Sequence, residues 1–448
     1  MSTETPPARS GSLAVAVGIL ASRLFGLVRQ RVFAHYFGTS PYADVFNVGL
    51  RLPNLLQNLL GEGTLSASFI PVYAELLARG RKDEAGRVAG AVFALLLAIA
   101  SALAIAGVLL APIGVRVIAP GFTGERYTLT VTVVRWLFPM TGLLVLSAWA
   151  LGIQNSHRRF LGSYLAPVAW NAAIIAAMVA CGGWLGWRDA DLLVAVSIGA
   201  LIGGALQFLV QVPTVWALER DLKVRWAPTL PGVQEVVRNA GPAVLGRGVV
   251  QLSGYLDVFL ASLLAPGAVA AIGYAQMLYL LPISLFGMSV AAAELPELAR
   301  ERAVGLAVVA GRARSALDRV AFLVVPSAVA FVALGDVAVA GVLRTGAFGS
   351  DQVALVHLTL AAYAVGLVAS TGSRVLSSAF YAVRDTRTPA RIAAVRVGSS
   401  AVLGVGMMAQ LEPIAAVGWD GGPLSYLRAG SLSLGAVGLA LGTGIGAW

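Results

Sequence analysis

The sequence is poor in the residues on which secreted domains and many enzymes depend. It has one cysteine in 448 residues, Cys181, which excludes an intramolecular disulfide. Its three histidines, His35, His157 and His357, are too scattered to predict a metal site. No G-x-S-x-G, H-E-x-x-H or Walker sequence occurs in the chain. These absences argue against an enzyme and against a resident metal or organic cofactor.

Charge is also scarce, at 12% of residues, whereas 58% are hydrophobic and the mean hydropathy is +0.81. A bilayer core about 30 Å thick needs roughly 20 apolar residues per helix. Twelve runs of about that length are present, and each is predicted as a helix because a span in lipid must satisfy its own backbone. The predicted spans are 13–36, 43–78, 86–111, 128–151, 161–183, 190–218, 232–264, 267–297, 312–341, 352–382, 388–410 and 429–448.

The net charge of +10 is explained by orientation in a membrane, so it does not predict nucleic-acid binding. With the amino terminus inside, most Lys and Arg residues fall in inward segments. The outward segments carry only Arg116, Arg126, Arg188, Arg344 and Arg428. This bias predicts a multi-pass membrane protein with a cytoplasmic amino terminus.

The longest polar inward connection divides the spans six and six. We predict a disordered cytoplasmic tail over 1–12, an N-lobe over 13–225 and a C-lobe over 226–448. A shift of 226 residues places the segment 37–61 over 263–287. The predicted fold is therefore an all-α bundle of about twelve transmembrane helices, in two six-helix lobes related by a parallel pseudo-two-fold repeat around a central cavity.

Span 2 carries a polar stripe. At 100° per residue the polar positions fall within an arc of about 120°, and from Asp44 to Glu62 the row runs about 27 Å along one continuous helix. Such a row faces a cavity, or alternatively forms a polar seam between helices. Its members are Asp44, Asn47, Arg51, Asn54, Asn58, Glu62 and Ser66. Arg51 and Asn54 are candidate substrate-binding residues.

Span 1 carries three arginines, Arg23, Arg29 and Arg31, although an arginine at mid-membrane costs about 2.5–3.5 kcal/mol. Arg29 could pair with Asp44 or Glu62 while Arg23 points into the cavity; Arg31 alternatively snorkels to the interface. Together with Arg247 of span 7, these guanidiniums form a cluster suited to a di-anion such as pyrophosphate.

Asp257, also in span 7, is the candidate residue for binding a coupling ion. A capped buried acid is the alternative. Na⁺, H⁺ and the membrane potential are not separated by the sequence.

Two stretches carry a family resemblance. SRLFGLVRQRVFAHYFG followed by ADVFNVGLRLPNLLQNLLGEGTLSASFIPVYAE, together with YAVRDTRTPARIAAVRV at 381–397, resembles the MurJ (MviN) lipid II flippase family. That family belongs to the multidrug/oligosaccharidyl-lipid/polysaccharide exporter superfamily. The resemblance covers essentially the whole chain. It implies a two-lobed bundle that carries lipid II, the undecaprenyl-pyrophosphate-linked peptidoglycan precursor, from the cytoplasmic to the outer leaflet by alternating access.

The resemblance also implies roles for individual residues. Arg23 and Arg29 would contact the pyrophosphate and sugar headgroup, Asp44 and Glu62 would belong to the cavity and its gate, and Arg51 would match a basic position. The implied partners are lipid II, membrane lipids and cell-wall synthesis proteins.

The sequence departs from the family pattern in three places. Gln57 and Asn58 stand where many members have a basic pair, and Gln276 and Met277 where many have an Asp-Arg pair. The family's spans 13 and 14, which line a lipid-tail groove, have no counterpart in these 448 residues. Alternatives therefore stay open: a drug or cation exporter or another polysaccharide-lipid exporter of the superfamily, and a membrane scaffold for cell-wall enzymes.

Overall fold

The computed structural model describes residues 8–220, 222–301, 305–383, 385–414, 418–425 and 433–448. Its regular structure is helical, with two isolated β-bridges among the described residues. The helices are α1 (Ala8–Phe37), α2 (Pro41–Leu60), α3 (Glu62–Ala78), α4 (Lys82–Ile118), α5 (Gly124–Ser156), α6 (Phe160–Ala177), α7 (Asp189–Leu209), α8 (Val212–Leu218), α9 (Pro231–Ser262), α10 (Ala268–Pro282), α11 (Ser289–Glu301), α12 (Leu306–Ala333), α13 (Gly335–Leu343), α14 (Ser350–Ala364), α15 (Leu367–Ala382), α16 (Arg387–Leu411) and α17 (Gly435–Ile445). The all-α prediction is confirmed.

Seven helices in the described ranges are long and apolar enough to cross a membrane, and the α14–α15 pair, bent by 44°, would be an eighth span. These eight correspond to predicted spans 3–6 and 8–11. Spans 1, 2 and 7 fall outside this set, and each of them carries charged residues within its apolar run. Span 12 is represented by α17, whose 11 residues measure about 16 Å, half the hydrocarbon thickness.

The predicted tail and the first helix overlap. α1 begins at Ala8, so residues 8–12 are helical, whereas residues 1–7 lie outside the described ranges.

Span 2 is not one helix, which corrects the continuous stripe predicted above. The chain breaks at Gly61, whose N–H donates to the Gln57 carbonyl at 2.7 Å. A Cβ at this position would lie 2.3 Å from that oxygen, so the break requires glycine. In the second half, a π-helical turn over Ile283–Met288 contains Gly287, which the 226-residue shift places on Gly61. The first half is therefore broken at Gly61, whereas the second half stays helical through the π-turn that contains Gly287.

The first compact unit comprises Met1–Tyr36, Val45–Ile118 and Thr123–Tyr255. Its main core joins α3, α4, α5 and α9, with Phe69, Tyr73, Val88 and Ile153 at most 1% exposed. The Trp149 indole in this core donates to the Ala89 carbonyl at 3.2 Å.

The second unit comprises Phe37–Asp44, Ala119–Phe122 and Leu256–Trp448. Its apolar core joins α12 and α15 with the π-turn after α10. α16 and α17 pack through glycines: a Cβ on Gly442 would lie 2.3 Å from the Gly404 nitrogen. The glycines of the G-x-x-x-G pattern at 438–442 thus let the two helices pack closely. The predicted lobe boundary between residues 225 and 226 stays a prediction.

Candidate functional site

Arg29 is held on an aromatic ring. Its Cζ lies 4.7 Å from the centroid of the Trp170 ring, which α6 supplies. The side chain is half-buried, and no carboxylate among the described residues forms an ion pair with it. Within the first unit, Arg29 is thus not paired with Glu62, whereas the suggested pairing with Asp44, which belongs to the second unit, stays a prediction. A stacked guanidinium is fixed in orientation and keeps its N–H edge available to an anion.

The other arginines of α1 are more exposed. Arg23 and Arg31 both present exposed side chains, and Arg23 forms no ion pair with any described residue. On the continuous helix α1, Arg23 and Arg31 are separated by about 80° around the axis.

Arg51 lies where α2 meets α9 in the first unit. The Tyr255 hydroxyl donates to the Arg51 carbonyl at 2.7 Å, and a Cβ built on Gly254 would lie 3.8 Å from Nη1 of Arg51. The Arg51 guanidinium is half-buried and, like that of Arg29, has no carboxylate partner among the described residues. Asn54, one turn further along α2, is also half-buried.

Arg247 belongs to α9, but its side chain lies outside the described residues. Convergence of Arg23, Arg29, Arg51 and Arg247 on one cavity stays a prediction.

Asp44 is the charged residue that the structure defines best. It is completely buried, and its carboxylate accepts hydrogen bonds from the Gly267 N–H at 2.6 Å and the Ala270 N–H at 2.8 Å. These amides belong to the N-cap and first turn of α10, and Gly267, with φ of +97°, has no side chain to cap them. Asp44 supplies the missing cap from elsewhere in the second unit, where the helix dipole also favours an anion.

The residues just before α2 also contact α10 and its N-cap. The Tyr274 hydroxyl of α10 donates to the Gly38 carbonyl at 3.1 Å, and a Cβ on Gly267 would lie 2.3 Å from the Thr39 carbonyl oxygen. Sequence reasoning found Asp44 but not these partners. No local pattern in the sequence links Asp44 to amides 223 and 226 residues away.

Glu62 differs from Asp44 in every respect. It is exposed in the first turn of α3, beyond the break at Gly61, and forms no hydrogen bond or ion pair with a described residue. The break also separates Glu62 and Ser66 from the polar residues of α2, so the stripe ends at Asn58. The role of Glu62 as a gate residue stays a prediction.

Asp257 has a hydrogen-bonding neighbour in the second unit. Gln276 donates through Nε2 to Asp257 at 3.3 Å and to the Tyr363 hydroxyl at 3.1 Å. This arrangement agrees with the alternative of a capped acid. The described residues contain no group of three or more His, Cys, Asp or Glu side chains that could hold a metal ion, and coupling-ion binding by Asp257 stays a prediction.

Sequence reasoning missed a buried cluster at the predicted cytoplasmic end of the first unit. The Tyr73 hydroxyl donates to Glu219 at 2.5 Å, so the Nε2 of His157, 3.0 Å away, donates to the Tyr73 oxygen. Burial lowers the pKa of His157; Glu219 opposes this shift, and Lys82 adds to it. His157 and Glu219 lie 84 and 146 positions from Tyr73, and no sequence periodicity connects the three residues.

A second missed group is an ion-pair network between α11 and α12. Arg312 bonds Glu294 and Glu301, each at 2.6 Å, and Arg319 bonds Glu294 at 2.5 Å. Here every arginine has a carboxylate, in contrast to Arg29 and Arg51.

These features define a multi-pass helical membrane protein of the transporter class, with half-buried arginines in its spans. Residues 33–448 match the family model described as "Lipid II flippase MurJ". The chain belongs to the MurJ lipid II flippase family.

Individual relatives agree with this assignment. The "Probable lipid II flippase MurJ" of Rhizobium tropici is 32% identical over 400 residues, which cover 88% of this chain and 74% of the relative. A solved structure titled "Lipid II flippase MurJ, inward closed conformation" is 23% identical, with a TM-score of 0.76 over 97% of this chain and 85% of that one. An inward-facing multidrug resistance MATE transporter of the MOP superfamily is 15% identical, with a TM-score of 0.72 over 98% and 95%. The two structural likenesses show a shared fold.

Proposed function

We propose that this chain is a lipid II flippase, which moves the undecaprenyl-pyrophosphate-linked precursor from the cytoplasmic to the outer leaflet of a bacterial inner membrane by alternating access. The family model and the relatives, which carry this activity in their names, support the proposal. The amino terminus is cytoplasmic in this proposal, as the distribution of Lys and Arg favours.

The observation that carries the mechanism is the stacking of Arg29 on Trp170 without a carboxylate partner among the residues that the structure describes. A half-buried cation that no protein acid neutralises is costly, and an anionic headgroup would offset that cost. Arg29 therefore binds the pyrophosphate through paired hydrogen bonds, with Arg23, Arg51 and Arg247 contributing further charge. Asn54 adds a neutral hydrogen-bonding group beside Arg51.

The alternative from the same superfamily, a drug or cation exporter, shares the fold, as the likeness to the MATE transporter indicates. It requires a net anionic binding region. Asp44 is the only buried carboxylate of α2, and its charge is already engaged by two backbone amides. The arginines therefore favour an anionic substrate.

Lipid II binding to purified parent, Arg29→Lys and Arg29→Ala, measured by native mass spectrometry, tests this proposal. Lysine keeps the charge but loses the planar two-pronged geometry, so binding weakens by about 1–3 kcal/mol, and alanine costs more. Trp170→Leu leaves the charge but frees the guanidinium, and should lie between the parent and alanine.

Arg116→Ala is the matched control, because Arg116 also lies over an aromatic ring, 5.4 Å from the centroid of Tyr127, but at the predicted outer end of α4. It should bind lipid II like the parent. Equal affinity in all variants, or tighter binding of a cationic drug than of lipid II by the parent, would contradict the proposal. Growth and lipid II export in a host depleted of its own flippase test transport itself.

The remaining parts of this proposal concern the driving force and the partners. Asp257 is the proposed coupling-ion residue, with Na⁺, H⁺ and the membrane potential as alternatives. Binding of ²²Na⁺ to the parent and not to Asp257→Asn would support a sodium site. Cell-wall synthesis proteins are proposed partners because the family's substrate is their precursor.

A further inference from the structure

The first unit has an apolar groove between α4 and α5 that the flippase proposal does not use. Its volume is about 540 Å³. Small residues, Ala100, Ala104 and Gly142, lie along it, and a Cβ on Gly142 would stand at an ordinary 3.5 Å from that of Ala100. Bulky side chains that include Leu97 and Leu109 flank them.

The groove lies on the part of α4 that would cross the hydrocarbon core of the membrane. Leu97 is 42% exposed and Leu109 70%, and both belong to a helix apolar enough to span the membrane. From Leu97 to Leu109 the groove follows α4 for about 18 Å, compared with about 15 Å for one leaflet of the bilayer core. Its dimensions and lining suit one lipid chain.

A cation lies next to the groove, at the end nearer the α4–α5 connection. Pro112 has no N–H, so the Val108 carbonyl of α4 loses its helical partner. Arg135 of α5 donates through Nε to that carbonyl at 3.3 Å, and Val108 itself lines the groove. On α5, Arg135 lies one turn before Pro139, which is the first residue of that helix to line the groove. Arg135 is therefore next to the end of the groove.

The rest of the Arg135 guanidinium is available. The side chain is exposed, and its two terminal nitrogens form no hydrogen bond or ion pair with a described residue. A guanidinium fixed by its Nε and open at its Nη atoms is suited to a phosphate, which it binds through two parallel hydrogen bonds.

We propose that this groove is a binding site for an anionic phospholipid, with one acyl chain between α4 and α5 and the phosphate on Arg135. The charge of Arg135 selects the anionic headgroup, and the apolar lining selects the chain. With the orientation favoured by the sequence, the lipid belongs to the outer leaflet. The site is separate from Arg29, so it does not depend on lipid II transport.

Phosphatidylglycerol with a photoreactive diazirine in its acyl chain, added to the purified full chain in detergent, tests the site directly. Cross-links should concentrate in residues 97–109 and 139–146. Native mass spectrometry with unlabelled phosphatidylglycerol should show at least about tenfold weaker retention by Arg135→Gln and by Ser101→Phe, which fills the groove from an exposed lining position. Phosphatidylcholine should be retained less than phosphatidylglycerol by the parent.

Two matched controls should behave like the parent. Ala102→Phe adds the same bulk at an exposed neighbour outside the groove lining, and Arg188→Gln removes an exposed arginine predicted at the same end of the bundle. Cross-links elsewhere, or equal retention by all variants, would overturn the proposal. Displacement of the probe by undecaprenyl pyrophosphate and not by phosphatidylglycerol would overturn it too, by making the groove a prenyl-chain site. The cross-link map of the parent decides if Ser101→Phe does not fold.

Discussion

The start of α2 and the second half of α1 both place ionisable side chains within predicted membrane spans, and the two side chains make different contacts. The Asp44 carboxylate is fully buried and accepts two backbone N–H groups at the start of α10. Arg29 is half-buried on Trp170 and has no carboxylate partner among the described residues.

The difference separates structural charge from available charge. A carboxylate that is buried with short bonds to main-chain donors contributes to stability and has little capacity left for a ligand. A guanidinium that only stacks on a ring contributes modestly to stability and keeps its donors. Sequence position alone assigned both residues to one substrate-handling region, whereas their contacts divide them.

The largest expected effect is on the Asp44 side of the comparison. Asp44→Ala leaves the Gly267 and Ala270 N–H groups buried without an acceptor, which should destabilise the protein by about 3–5 kcal/mol. Asp44→Asn keeps one acceptor oxygen and should lose less. Apparent melting temperatures in detergent measure the order, with Asn54→Ala as a control expected within about 0.5 kcal/mol of the parent. An Asp44→Ala variant as stable as this control would remove the comparison.

Glu412 extends the comparison to a second buried carboxylate. It is 5% exposed and accepts from the Ala265 N–H at 2.6 Å and the Gly435 N–H at 2.9 Å, as well as from Ser433. Glu412→Ala should destabilise the second unit by about 2–4 kcal/mol, less than Asp44→Ala, because the loop position lets water replace part of the lost bonding. Hydrogen exchange should accelerate at the Ala265 and Gly435 amides. Unchanged exchange there would show that Glu412 is not a structural carboxylate.

Substitution of Arg29 tests the other member of the comparison, the guanidinium that stacks on Trp170. Arg29→Ala removes only the contact with Trp170, so the stability should change by no more than about 1 kcal/mol. Lipid II binding by the same preparation should fall at least tenfold under the proposed function. A loss of stability as large as that of Asp44→Ala would make Arg29 a structural residue.

The smallest effect concerns His157, which lies outside the predicted spans. Burial is the main cause that lowers the pKa of His157, while Glu219 opposes it. The neutral form is favoured in the folded state, so the associated stability is present above the unfolded pKa of about 6.5 and is lost as the pH falls through the folded value. Glu219→Gln should lower the pKa further, and an NMR titration of selectively labelled histidine measures it. A rise in the pKa of His157 in that variant would contradict the assignment.

Much of the fold could be predicted from the composition and from the length of the apolar runs. The apolar runs predicted the helices because a backbone in lipid must bond within its own segment. The charged residues of spans 1, 2 and 7 were also visible in the sequence, since ionised groups in apolar runs are conspicuous. The break at Gly61 was not predicted, because a constant 100° per residue assumes an unbroken helix.

By itself, the sequence determined that the chain is a multi-pass helical membrane protein, that arginines lie in its first span and that Asp44 begins the second. Tertiary structure alone decided which of these charges are satisfied. The Asp44 carboxylate accepts hydrogen bonds from backbone N–H groups 223 and 226 residues away. The Arg29 guanidinium stacks on the Trp170 ring of another helix. Local periodicity fixes the direction of a side chain around its own helix, whereas hydrogen bonding and stacking depend on which distant surface packs against it.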